Sequence, residues 1–166
     1  MEMLVACHER VQRSLDLMVR LQRHVLETGC DAQAQSAARD VLRYFDVAAP
    51  LHHQDEELHV FPALLAGPDA SLRQLAGELI DDHRRMEAAW SAARAALTAI
   101  AQDTSGTLQL SALQTAALDD FGGLYAQHIA REEGSAYPGA LAQLTATDLQ
   151  HMSRDMMARR GVRSPA

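Results

Sequence analysis

His52, Glu56, Glu57, Phe61 and Pro62 return as His128, Glu132, Glu133, Tyr137 and Pro138, at identical offsets and displaced by 76 residues. One further histidine precedes each stretch at nearly the same distance: His8 lies 44 residues before His52, and His83 lies 45 before His128. A five-point pattern with matching upstream partners marks two copies of one helix-pair plan. This repeat limits the fold more tightly than composition does, because each copy must place the same ionisable groups at the same point.

The segments between breaks carry helical periodicity. Leu4, Val11, Leu15, Met18, Leu21 and Val25 recur at three- and four-residue steps, which predicts a first helix over about 3–28. Gly29 is placed as its C-cap and Asp31 as the next N-cap. A second segment spans about 32–65. Pro50 predicts a kink or local irregularity within it, and Pro62 a bend or an end after His59. Gly67-Pro68-Asp69 is a break. A third helix is expected over about 71–101, a fourth over about 108–136 stopping before Tyr137-Pro138-Gly139, and a short fifth from Thr147 or Asp148 to Gly161. No alternating β-branched run suggests a strand. The expected fold is all-α: an antiparallel up-down-up-down four-helix bundle with a short C-terminal fifth helix, in one domain spanning 1–166 with its core over about 3–138.

Antiparallel geometry sets the heights. Residues equidistant from a turn lie at one level. Around turns near 30, 68 and 105 the four histidines are spaced 22 and 22, 16 and 15, and 22 and 23 residues away. At about 1.5 Å per residue they share a layer to within a turn. His52 with Glu56, and His128 with Glu132, are i,i+4 pairs that share a helix face. Glu57 and Glu133 point aside. His53 and Glu57 form a rival pair, but His53 matches Ile129 in the repeat. A buried histidine–carboxylate layer is costly without a compensating cation. The metal-ligand candidates are therefore His8, His52, Glu56, His83, His128 and Glu132, with Glu87 or His53 able to complete one coordination sphere. Two carboxylates from different helices suit bridging between two ions. Imidazole and carboxylate without thiolate suit iron or manganese, then zinc. Cys7 sits about 100° round the helix from His8, off the inward face.

His52-His53-x-x-Glu56-Glu57 followed by Phe61-Pro62 resembles the signature of the hemerythrin-like HHE cation-binding family. His128-x-x-x-Glu132 with Pro138 is similar to its partner motif, and His8 and His83 to its single histidines. The resemblance implies a non-haem centre of two iron ions, bridged by oxygen (oxo or hydroxo) and by two carboxylates. Oxygen-carrying members place a second histidine four residues after the one on the third helix. Glu87 stands there in this chain, which argues against simple reversible oxygen carriage. The full ferritin-like arrangement, with Glu-x-x-His on each of two helices and a further Glu on each of the other two, is not seen.

The remaining groups read more plainly. His24, His59 and His151 fall off the layer. Tyr44, Phe45, Phe61, Met86, Trp90, Phe121 and Tyr125 lie at core spacing, and the Tyr137 hydroxyl, matching Phe61, is incidental. Arg154, Arg159, Arg160 and Arg163 form a basic end, a solvated face and the best candidate for a protein contact. Net charge is −7, so no broad basic surface recruits nucleic acid, and no apolar run reaches the ~20 residues of a membrane span. Cys7 and Cys30 lie roughly 34 Å apart along one helix, beyond disulfide reach, which with the absence of an export signal points to the cytoplasm. Cys30, near a turn, leaves an intermolecular disulfide open. The leading functional expectation is a di-iron protein that binds or senses dioxygen, nitric oxide, peroxide or redox state, passing its output to a protein partner. The alternatives are a di-iron enzyme (peroxidase, oxidase or nitric oxide reductase), an iron-transfer or iron–sulfur repair protein, and a purely structural metal bundle.

Overall fold

The computed structural model describes residues 1–162, which form five helices and no strand. Helix α1, Glu2–Thr28, ends at Gly29, whose φ of 95° is open to glycine and strained for other residues. Asp31 then caps α2 by accepting from the Ala34 N–H at 2.8 Å. Helix α2 runs unbroken over 32–66. Helix α3, Ala70–Gln102, is capped by Asp69. Helix α4 begins at Ala112 behind a capping box of Ser111 and Gln114 and continues through Leu141. Helix α5, Ala146–Arg159, opens on a second capping box, Thr145 with Asp148. Arg163 lies outside the described residues. Among the described residues, no helix is long and apolar enough to cross a membrane.

One expected helix end is corrected: α4 does not stop before Tyr137. Of the bend or end expected at Pro62, the end does not occur, and α2 runs on to Ala66, about where the segment was expected to finish. Each proline instead follows a π-helical turn: Tyr44–Ala48 before Pro50, Glu56–Val60 before Pro62, and Glu132–Ala136 before Pro138. In all three the residue just before the proline donates its N–H five residues back: Ala49 to Tyr44, Phe61 to Glu56, and Tyr137 to Glu132. A proline in a helix lacks a donor and its ring crowds the carbonyl four residues back. One wide turn relieves both, so the helix passes through. The extra residue also advances the helical phase, and Glu56 with Phe61, and Glu132 with Tyr137, are all buried at a spacing of five.

The core has two apolar parts. One holds Val11, Leu15, Phe45, Met86, Leu97 and Phe121. The other holds Leu4, Phe61, Leu64, Leu79, Tyr137 and Met156, the last from α5. On α1, His8 lies between Leu4 of one part and Val11 of the other; on α3, His83 lies between Leu79 and Met86 in the same way. The apolar parts therefore sandwich a polar layer. Cys30 is buried, its thiol directed at the Ile100 carbonyl, which closes off the intermolecular disulfide.

Asp46, in the first wide turn, ties α2 to α3 at the end of the aromatic cluster. It accepts from Trp90 Nε1 at 3.0 Å and from Arg94 Nε at 2.9 Å. The Arg94 hydrogen bond holds the Asp46 carboxyl below the usual carboxylate range, against a smaller opposing effect of burial and with help from Trp90. A depressed carboxylate contributes stability that is complete above its unfolded pKa of about 4 and is lost as pH falls through the lower folded value. Arg94 is half exposed, so water screens the pair. Asp46→Asn is expected to cost under about 1 kcal/mol at pH 7, with the difference from wild type shrinking as pH falls below about 4. Urea unfolding followed through Trp90 emission at several pH values measures it.

Candidate metal centre

Four imidazoles and two carboxylates meet in the layer between the two apolar parts. His8, His52, His83, His128, Glu56 and Glu132 are all buried, and both glutamates are 0% exposed. The ligand atoms fall into two groups, each lying within 4.8 Å: His8, His52, Glu56 and Glu132, and His83, His128, Glu56 and Glu132. Each glutamate spans both. Glu56 turns Oε1 to His52 Nε2 at 3.5 Å and Oε2 to His83 Nε2 at 3.4 Å. Glu132 turns Oε2 to His8 Nε2 at 3.1 Å and Oε1 to His128 Nε2 at 2.9 Å.

These approaches are close but poorly directed. Glu56 Oε2 and both Glu132 oxygens are buried without a hydrogen-bond partner. His83 Nε2 faces His128 Nε2 at 3.1 Å. Buried polar atoms are nearly always paired. Six side chains whose ligand atoms gather in two groups, with three of the carboxylate oxygens unpartnered, fit a pair of cations. The donor set is also chemically consistent, since imidazole and carboxylate suit iron, manganese or zinc.

Residues 1–140 match the hemerythrin HHE cation binding domain. The chain belongs to the hemerythrin HHE cation-binding family. An uncharacterized protein of Haemophilus influenzae is 31% identical over 162 residues, covering 98% of this chain and 90% of that protein. This HHE domain thus carries two adjacent groups of His and Glu ligand atoms, an arrangement that suggests a binuclear site.

Sequence reasoning set Glu57 and Glu133 aside, yet each has a place in the HHE layer. Glu57 Oε1 lies 2.8 Å from His83 Nδ1, and Glu133 Oε1 lies 2.8 Å from His8 Nδ1. The exchange is crosswise: the acid after each shared glutamate holds the single histidine of the other helix pair. A proton on Nδ1 leaves Nε2 free to face inward. Burial pushes His8 and His83 down, but their carboxylate contacts outweigh it, and both pKa values are raised on balance. The acids concerned are Glu132 with Glu133 for His8, and Glu56 with Glu57 for His83. Burial dominates at His52 and lowers it to about 4. Burial would raise Glu132, but His128 and His8 outweigh it and hold it below the usual range.

The Tyr137 hydroxyl is not incidental. It donates to Glu56 Oε1 and lies 3.1 Å from His8 Nε2, with the ring stacked on His8 at 5.4 Å. Burial, reinforced by Glu56 and Glu132, pushes its pKa far above the ordinary phenol value. The signal for it was a tyrosine where the other copy has Phe61, one hydroxyl added to a buried position.

His53 and Glu87 belong to neither group. His53 stacks on His83 with ring centres 3.9 Å apart, and burial followed by the charge of His83 drives its pKa well below the ordinary value. Glu87 is exposed. Gln12 donates to Asp16 at 2.9 Å, near the surface. Cys7 is outside both groups, as its direction from His8 required. His53, Glu57, His83, Glu87, Trp90 and Tyr125 help to line a cleft of about 590 Å³ between α2 and α3 that reaches the His83 edge of the layer.

Glu57→Gln and Glu133→Gln are each expected to weaken metal retention by roughly 10- to 100-fold while leaving the helical content unchanged. Competition against a chromophoric chelator, with circular dichroism alongside, tests both.

Proposed function

We propose that this HHE domain is a non-haem di-iron protein that binds or senses dioxygen, nitric oxide or peroxide through its metal pair. The sharing of Glu56 and Glu132 between the two groups carries the reading. His8 and His52 would hold one ion and His83 and His128 the other, with Glu56 and Glu132 available to both. Histidine and carboxylate sets that leave positions open are the pattern of non-haem ferrous iron that meets oxygen. When bound, the iron pair supplies one-electron redox chemistry and open positions for a small ligand.

The chain's own groups do the rest. Glu57 and Glu133 orient His83 and His8. Phe45, Trp90 and Phe121 give the cleft an apolar wall beside His83, along which a small neutral molecule travels at little desolvation cost. The cleft far exceeds the about 30 Å³ that one water occupies in the liquid. Glu87 stands on the cleft wall rather than in the layer, which leaves the approach to His83 open.

Tyr137 favours a second reading, a di-iron peroxidase, oxidase or nitric oxide reductase. Its raised pKa keeps the proton on Oη at neutral pH, hydrogen-bonded to Glu56 and beside His8. A buried donor of this kind is what reductive chemistry on a small oxygen or nitrogen ligand needs.

Metal analysis of the purified protein is expected to find two irons per chain; one zinc, or no metal after ferrous loading, would falsify the reading. Glu132→Ala removes a donor from both positions and is expected to abolish stable loading of either ion. His52→Ala removes a donor from one and is expected to leave about one iron per chain. Optical spectra after anaerobic reduction and admission of dioxygen or nitric oxide separate the two functions. A reversible spectrum supports binding or sensing. An irreversible ferric product with catalytic turnover of peroxide, slowed in Tyr137→Phe, supports the enzyme.

A further inference from the structure

The repeat is broken just outside the metal layer. In the second copy, Arg131 follows His128 by three residues, and Asp82 directly precedes His83. The two side chains meet, with Arg131 Nη1 3.1 Å from Asp82 Oδ2, and Arg131 also pairs with Glu78. Helices α3 and α4 thus close this half with a direct acid–base contact, and Asp82 lies 3.7 Å from His128 Nδ1. In the first copy the position of Arg131 is taken by Asp55 and that of Asp82 by Cys7. The acid has changed helix, and α1 offers it no cation there.

Helix α5 supplies the missing partners. Asp55 is 0% exposed, and its two oxygens are held separately, Oδ1 by Arg159 Nη2 at 2.5 Å and Oδ2 by Arg160 Nη2 at 2.6 Å. Arg159 is itself fixed by Asp155 at 3.1 Å, and Asp155 by His59 at 2.8 Å. These arginines were expected on a solvated face, but both are mostly buried, at 16% and 22% exposed. Burying a carboxylate drives the pairing, because one left without its cation is strongly destabilising.

Asp55 sits on the turn that carries His52 and Glu56 toward the layer. We propose that Arg159 and Arg160 are positioning residues for the metal position held by His8 and His52, acting through Asp55. Without them the buried carboxylate must turn toward water, and it takes with it the turn that presents His52 and the Oε1 edge of Glu56. The other position keeps His83, His128 and Glu132 on α3 and α4, closed from outside by Arg131 and Asp82, and meets the displaced turn only through Glu56 Oε2 and Glu57. The two positions are therefore unequal. The one under α5 depends on that helix staying docked far more than the one opposite, which has three of its four ligands on α3 and α4. This inference rests on the binuclear reading above.

The test uses the full chain loaded anaerobically with ferrous iron and challenged with a chromophoric ferrous chelator. In Arg159→Gln/Arg160→Gln, one equivalent of iron per chain is expected to leave roughly 10- to 100-fold faster than in wild type, while the other keeps its rate. Adding Asp55→Asn is expected to restore the slow phase, because a neutral amide needs no cation. In a His8→Ala/His52→Ala background, which retains the opposite position alone, the arginine substitutions are expected to change nothing. If the double variant loses helical content, Asp55→Asn/Arg159→Gln/Arg160→Gln carries the test: slow release of both irons supports the proposal, and fast release overturns it. Equal acceleration of both equivalents, or no acceleration in a folded double variant, also overturns it. Wild type that holds two irons with an unaffected variant defeats this inference alone, whereas wild type that binds no iron defeats the binuclear reading as well.

Discussion

Two carboxylates with no exposure, set among four imidazoles, are the constraint on which the structure depends. Ionised acids leave water only against strong compensation. The fold provides compensation at several ranges. Imidazole nitrogens face the oxygens directly, outer carboxylates hold two of those imidazoles, and Tyr137 donates to Glu56. Apolar side chains above and below keep the layer dry. A dry layer strengthens every electrostatic contact within it and raises the cost of any that is missing.

The three wide turns show how backbone and chemistry are joined. A proline follows each, and two of the turns begin at the shared glutamates. The same extra residue that admits the proline brings the glutamate and the aromatic residue five positions later to the buried side. In one copy that aromatic is Phe61 and in the other Tyr137, so a single hydroxyl makes the two halves differ at the layer. The change of Asp82 to Cys7 and of Arg131 to Asp55 makes them differ again one shell outward. A duplicated plan has thus been made asymmetric at places that touch the metal positions without changing their ligands.

The helix number, the caps at Gly29 and Asp31, the bundle and the shared level of the histidines were legible because each rests on local rules. Periodicity, capping and rise per residue act within a few turns of chain. The fourth helix's end at Tyr137 was misread because local rules make a proline a stop, and only packing on both sides sustains the helix through a wide turn. The arginines of α5 looked like a solvent face for a related reason: nothing in their neighbourhood along the chain names Asp55, some 104 residues earlier, as their partner.

The sequence by itself determined an all-helical chain with two like helix pairs and the six residues that could meet at one depth, because a repeat and a constant rise are properties of the chain alone. Only the tertiary structure decided that Glu57 serves His83 and Glu133 serves His8, that Tyr137 reaches Glu56, and that α5 neutralises Asp55. Each of those joins residues far apart in sequence, and the direction in which a side chain is buried is set by which helices pack against it.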